Sequence, residues 1–198
     1  MVTGAGRGLG RAVSLELARH GWDLALLART RSQLEAVAEE VRALGSRAEV
    51  FPATVDHEQS VHTAFQHFQE RFQRLDALVH CAGAGSFAPI AELGAAEWER
   101  VLGANLTGTY LCCRHALRIM EPQGSGQIVN VLSIAAKVAF PGAAAYCASK
   151  WGALGFTKVL AEEARGHGIR VTALCPGSID TPFWDSVGGA PFDRADML

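Results

Sequence analysis

Short apolar runs alternate with longer amphipathic stretches from one end of this chain to the other, and no single motif constrains the fold as much. The apolar runs lie at residues 23–28, 47–53, 76–81, 127–132 and 169–175, with a stub at 1–2. They are rich in Val, Leu and Ala and apolar on both faces, as strands covered by helices on either side must be. Helical periodicity fills the intervals, at 10–20, 32–44, 58–74, 95–120 and 144–166. Thr30 or Ser32 can cap the second helix, and Gly45 can end it. Pro122 and the run Gly124-Ser125-Gly126 stop the fourth, which is long enough to bend. Strand–helix alternation of this kind specifies an α/β fold with one doubly wound parallel sheet. A length of 198 residues, without repeat, linker or low-complexity tract, fits a single domain over 1–198.

The ends fit that sheet badly. Only Met1 and Val2 precede Thr3, and the chain runs out after the loop-like stretch Val187-Gly188-Gly189-Ala190-Pro191. A central strand of two residues would leave its neighbours without ladder partners and the core open. The expectation is therefore a sheet truncated at both ends, with an incomplete first strand and its C-terminal strand and lid missing.

Composition removes several function classes. A formal net charge of −2 gives no reason to expect nucleic acid or an anionic membrane as partner. No apolar run reaches membrane-span length and no signal-like segment opens the chain, so a cytoplasmic location is expected. Five cysteines (Cys81, Cys112, Cys113, Cys147, Cys175) lack C-x-x-C spacing, which argues against disulfides and zinc. Seven histidines show no H-x-x-x-H pattern with acidic partners, and no metal is expected.

Thr3-Gly4-Ala5-Gly6-Arg7-Gly8-Leu9-Gly10 stands between the strand stub and the first helix. Glycines let backbone amides approach a pyrophosphate, and the helix N-terminus faces the phosphates with free N–H groups and partial positive charge. Any glycine-rich turn can produce such a match, but the strand–turn–helix context points to a dinucleotide or mononucleotide site. The second strand ends in Leu27-Ala28-Arg29-Thr30-Arg31, with no acid to grip a ribose 2′-hydroxyl. Guanidiniums suit a 2′-phosphate, so NADP(H) is favoured over NAD(H), with Arg29 as the contact and Arg7 as a second cation. Arg31 better fits a solvated helix start.

Tyr146 and Lys150 are four apart on the last helix, so phenol and ammonium share a face. A nearby cation stabilises phenolate and eases proton transfer to a substrate oxygen. On its own such a pair is an ordinary surface feature of many helices.

Taken together, these motifs make the chain resemble the short-chain dehydrogenase/reductase family, most closely its 3-oxoacyl-carrier-protein reductase branch. The likeness runs from Thr3 to about Thr181 in the family's order and spacing. It rests on Thr3-Gly4 with Gly8 and Gly10, on Asn105 in Asn105-Leu106-Thr107-Gly108, and on Ser133 closing the fifth strand. Tyr146 with Lys150, and the loop Pro176-Gly177-Ser178-Ile179-Asp180-Thr181, complete it. The resemblance implies a Rossmann-type fold and interconversion of a ketone and a secondary alcohol by hydride transfer. Ser133 would hydrogen-bond the carbonyl and Tyr146 would pass the proton. Lys150 would bind the nicotinamide ribose and bias Tyr146 towards ionisation, and Asn105 would hold a proton-relaying water. Cofactor contacts would come from Thr3, Gly4, Arg7, Gly8, Leu9 and Gly10, from Arg29 and Thr54, and from Asn105, Tyr146 and Lys150. Pro176, Gly177, Ile179 and Thr181 would add the nicotinamide side.

The implied partners are a small carbonyl or alcohol and further copies of the chain, as a homodimer or homotetramer through helices 95–120 and 144–166. Two departures stand out. His80-Cys81-Ala82-Gly83 replaces the family's Asn-Asn-Ala-Gly, and Thr54 stands where an aspartate often meets the adenine, with Asp56 two residues on. The competing reading is a relative that binds cofactor without turnover, as a redox sensor or scaffold. The presence of Ser133, Tyr146 and Lys150 together argues against it.

Overall fold

A computed structural model describes residues 1–187 and 197. The alternation is realised as six strands: β1 (Val2–Thr3), β2 (Leu24–Ala28), β3 (Ala48–Pro52), β4 (Ala77–His80), β5 (Gly126–Val131) and β6 (Ile169–Leu174). All pair in parallel, in the order β3-β2-β1-β4-β5-β6. Six α-helices connect or flank them: α1 (Gly8–Arg19), α2 (Arg31–Ala43), α3 (Glu58–Arg71), α4 (Ala95–Leu102), α5 (Gly108–Gln123) and α6 (Ala144–Arg165).

Strand periodicity divides the core between the two sheet faces. On β2, Leu24 and Leu26 pack with Val2, Leu34, Val37 and Val41 under α1 and α2. Ala25 and Leu27 point the other way, into a cluster with Phe65, Phe68, Leu78, Met120 and Ile128 under α3 and α5. A strand that buries both faces cannot alternate apolar with polar residues, which is why the sequence shows continuous runs.

Helix ends follow local chemistry. The His57 ring Nδ1 accepts from the Ser60 amide at 3.2 Å and caps α3, and Glu58 in its first turn suits the positive end of the helix dipole. Thr30 stands at the N-cap of α2, without a side-chain bond to the first turn, while Ser32 lies inside the helix. Gly45 follows its C-cap with φ +89°, a conformation costly for residues with a Cβ.

Two expectations are corrected. The helix expected over 95–120 is not continuous: a π-helical turn, Gly103–Thr107, separates α4 from α5, and α5 runs on to Gln123. Pro122 is carried in that last turn, and the stop is Gly124 at φ +66°. The two residues of β1 do pair on both sides, Val2 with Leu26 and Val79, Thr3 with Leu27 and His80. The ladder continues past them through Met1 O, which accepts from Val79 N, and Ala5 N, which donates to Leu27 O. Val2 and Thr3 are fully buried. Of the loop expected at 187–191, only Val187 falls within the described residues, where it ends a short 3₁₀ turn, Trp184–Val187.

No helix among the described residues is long and apolar enough to cross a membrane. The strand order reverses direction between β1 and β4. In open parallel sheets such a switch point leaves a crevice at the carboxyl ends of the strands.

Candidate active site at the carboxyl ends of the strands

That crevice is a cleft of about 610 Å³ lined from every strand end. The glycine loop forms its floor. Gly4 and Gly8 have positive φ (+65° and +53°), and a Cβ on Gly10 would lie 2.2 Å from Gly4 O. No side chain fits there, so α1 starts hard against the loop. Its first turn contains no acid, and Arg7 at its N-cap makes no side-chain bond to the turn. Unsatisfied amides with a positive field thus face the cleft, as an anionic phosphate group requires.

Arg7, Leu9, Arg29, Thr54 and Asp56 line the cleft, but Arg31 does not: it pairs with Glu35 at 3.4 Å on the surface of α2. No carboxylate stands at the end of β2, and Thr30 and Gln33 complete that wall. Pro176, Gly177, Ile179 and Thr181 line the opposite side.

Thr3 and Asn105 lie behind the cleft. Thr3 Oγ1 accepts from the Ala82 amide at 3.2 Å and shares a proton with His80 Nδ1 at 2.9 Å. Asn105, on the π-helical turn, accepts from Ala84 N through Oδ1 at 2.8 Å. Its Nδ2 donates to Ala84 O and Ser149 Oγ, both at 2.8 Å. Both amide protons are committed, so Asn105 holds the loop after β4 against α6. The extra residue of a π turn is what aims this side chain inwards, out of step with α4 and α5. Gly83 makes room for it, since a Cβ there would stand 2.8 Å from Asn105 Oδ1.

Ser133, Tyr146 and Lys150 all reach the cleft. Ser133 follows β5, and its Oγ accepts from Ala135 N at 3.1 Å. Lys150 Nζ donates to Val131 O at 3.4 Å and sits 5.7 Å from the centre of the Tyr146 ring. Burial lowers the Lys150 ammonium to about 8, with the thiols of Cys81 and Cys175 pulling weakly the other way. Burial also raises the Tyr146 phenol, and its hydrogen bond with Ser133 opposes that rise. His80 is driven down to about 3, by burial first and then by the charge of Lys150, so it is neutral. Its Nε2 has no hydrogen-bond partner among the described residues.

The sequence reading missed Ser149, Phe87, Phe183 and Trp184. Ser149 was findable in principle, as a polar residue on the buried face of α6 three after Tyr146; its Oγ donates to Tyr146 O at 2.7 Å. Phe87 and Phe183 sit on loops and Trp184 opens the short 3₁₀ turn, where no periodicity marks a side chain that turns inwards.

Over residues 1–190 the sequence matches the family described as short chain dehydrogenase. The chain belongs to the short-chain dehydrogenase/reductase family. It is 37% identical over 183 residues to a 3beta-hydroxysteroid dehydrogenase of Mediterraneibacter gnavus, covering 92% of this chain and 66% of that protein. It is 34% identical over 192 residues to a 3-oxoacyl-[acyl-carrier-protein] reductase of Synechocystis sp., covering 96% and 78%. The chain therefore spans about two thirds to four fifths of the length of these relatives. Among solved structures, the actinorhodin polyketide ketoreductase with NADPH superposes with a TM-score of 0.88 at 34% identity, over 91% of this chain and 70% of that one.

Short-chain dehydrogenases/reductases are oxidoreductases of CH–OH and carbonyl groups that use NAD(P), and this enzyme is one of them. The residues present fit such a dinucleotide. A cradle that any Cβ at position 10 would fill, an acid-free helix start and two arginines at one end of the cleft suit its phosphates.

Proposed function

We propose that this chain is an NADP(H)-dependent oxidoreductase that interconverts a ketone and a secondary alcohol, with Tyr146 as the acid/base. The observation that carries the reading is the convergence of Ser133, Tyr146 and Lys150 on the cleft that the glycine loop floors. A nicotinamide dinucleotide, when bound, supplies or accepts the hydride. The amides at the start of α1 would hold its pyrophosphate, and Lys150 its ribose. Among the described residues Lys150 Nζ donates to Val131 O, which leaves two protons for ribose hydroxyls. Arg7 and Arg29 would meet a 2′-phosphate, and no carboxylate at the end of β2 favours a free 2′-hydroxyl instead.

The chemistry left to the protein is polarisation and proton transfer. A carbonyl oxygen that gains charge needs donors where that charge develops, and the hydroxyls of Ser133 and Tyr146, both lining the cleft beside Lys150, can supply two. In reduction, Tyr146 releases its proton to that oxygen, and the Lys150 ammonium stabilises the phenolate left behind. Thr3 and Asn105 act from behind the cleft, by fixing the loop after β4. Beside the proton-relaying water proposed for it, Asn105 braces the loop after β4 against α6 through its bonds to Ala84 and Ser149.

Similarity to a 3-oxoacyl-carrier-protein reductase makes 3-oxoacyl thioesters candidate substrates. We also propose a homodimer or homotetramer. Trp98 on α4, Tyr110 on α5, and Trp151 and Val159 on α6 are all exposed large apolar side chains on the helices expected to pair. Sedimentation showing only monomer would sink that assembly.

Turnover tests the reading directly. Purified protein with NADPH and a panel of ketones, 3-oxoacyl thioesters included, is followed at the nicotinamide absorbance. Absence of turnover on every ketone, with cofactor bound, removes the reductase. Saturating NADPH is expected to raise the melting temperature more than NADH does. A larger rise with NADH removes the NADP(H) preference.

A further inference from the structure

Three side chains that the reaction chemistry leaves unused close around the Tyr146 ring. Phe87 lies 5.8 Å from it, centroid to centroid, at 49°, and Phe183 lies 5.9 Å away at 44°. Trp184 closes the circuit, nearly parallel to Phe87 (6.1 Å, 20°) and edge-on to Phe183 (5.3 Å, 84°). Four rings therefore form a closed loop beside the catalytic phenol, drawn from the segment after β4, the start of α6 and the turn after β6.

The circuit is anchored at both ends. Gly85 is the seat for Phe183: a Cβ there would lie 2.6 Å from Phe183 Cζ and 2.9 Å from Val187 Cγ1. Trp184 Nε1 donates to Ile179 O at 3.0 Å, which turns the polar edge of the indole into its own loop and leaves its faces for packing. The segment carrying Phe87 is pinned to the loop before α6, where Ala88 N donates to Gly142 O at 2.8 Å. Apolar surface continues outwards from the rings through Ile134 and Phe140, both exposed and both lining the cleft.

Among the described residues that line the cleft, Arg7, Arg29 and Asp56 lie towards the glycine loop. Arg100 is committed to Glu97 and to Gly85 O, at 2.8 Å each. Lys150 stands beneath the phenol rather than among the rings. A flat apolar ring placed here would gain aromatic contacts on several sides.

We propose that the carbonyl compound taken by this site carries an uncharged, flat ring system next to the reacting carbon, seated against Phe87, Phe183 and Trp184. The proposal rests on the reductase reading above and narrows it to a substrate class. Two or three edge-to-face or offset-stacked contacts give a preference of roughly tenfold or more.

The test uses the full chain with NADPH and three ketones: 2-tetralone, 2-octanone and levulinate. The kcat/KM for 2-tetralone is expected to exceed that of the other two by about tenfold or more. Trp184→Ala and Phe87→Leu are each expected to lower it for 2-tetralone several times more than for 2-octanone, with most of the loss in KM. Phe87→Leu keeps apolar bulk at a half-exposed position, so it reports on the ring even where Trp184→Ala fails to fold. Equal or better turnover of 2-octanone or levulinate overturns the ring proposal and leaves the reductase standing. So does an equal loss on all three ketones in Phe87→Leu. No turnover of any ketone by NADPH-bound protein overturns both.

Discussion

Lys150 illustrates the cost of placing chemistry inside a fold. Its ammonium is only 5% exposed and burial lowers it to about 8. The unfolded chain keeps that proton up to about 10.5, so the unfolded state binds more protons between 8 and 10.5 and stability rises with pH across that window. Below pH 8 the buried charge is a standing penalty, on the order of 3 kcal/mol. Lys150→Met is therefore expected to raise stability at pH 7 while abolishing turnover, with the gain shrinking towards pH 10. Urea denaturation at the two pH values checks this, and a variant less stable than the parent at pH 7 contradicts it. Tyr146→Phe removes only the hydroxyl. It is expected to cut kcat by about 10²–10⁴ while leaving cofactor affinity within about threefold, read by steady-state kinetics and NADPH titration. Tyr146 and Lys150 were legible in the sequence because their chemistry travels with residue type and four-residue spacing. The aromatic neighbours of Tyr146 were not, because Phe87 and Phe183 lie 59 and 37 residues from it and meet its ring only when the segments after β4 and β6 come together.

Most element boundaries expected from periodicity fall within one or two residues of those observed, and α3, ending at Arg71, is three short. Propensity and burial agreed along most of the chain, and such agreement makes an element readable in isolation. The exception is instructive. Through 95–120 the apolar periodicity is helical, and the weak helix formers Gly103, Asn105, Thr107 and Gly108 mark a soft stretch without specifying a π turn at Gly103–Thr107. Tertiary bonds support the turn: Asn105 gains three to Ala84 and Ser149 by pointing inwards. Asn105→Ala is expected to lower stability by about 1–3 kcal/mol, since it leaves half-buried backbone groups at Ala84 and the buried Ser149 hydroxyl without this partner. The same change should lower activity in parallel, through loosening of the loop after β4. Chemical denaturation alongside kinetics measures both, and a stability change under about 0.5 kcal/mol would show that the turn stands without Asn105.

Across the molecule, β1 and β4 form the hinge of the topology, and His80 bridges them through Thr3. Buried and neutral, His80 resists protonation down to about 3, while in the unfolded chain it takes a proton below 6.5. Stability is therefore lost as pH falls through that window, by on the order of 2 kcal/mol at pH 5. His80→Asn, which restores the residue usual in the family, is expected to flatten that loss. Urea midpoints at pH 7.5 and 5 decide it, and an unchanged slope excludes His80 as the sensor. From residue order alone, strand–helix alternation fixed an α/β sheet, and the glycine loop and the pair Tyr146 and Lys150 pointed to residues that the fold brings to one cleft. Each depends on backbone conformation or side-chain chemistry within a few residues. Folding decided the strand order β3-β2-β1-β4-β5-β6, the inward turn of Asn105, the buried neutrality of His80 and the four-ring circuit that includes Tyr146. These arise between residues far apart in the chain, where burial and partner geometry, rather than local preference, set the free energy.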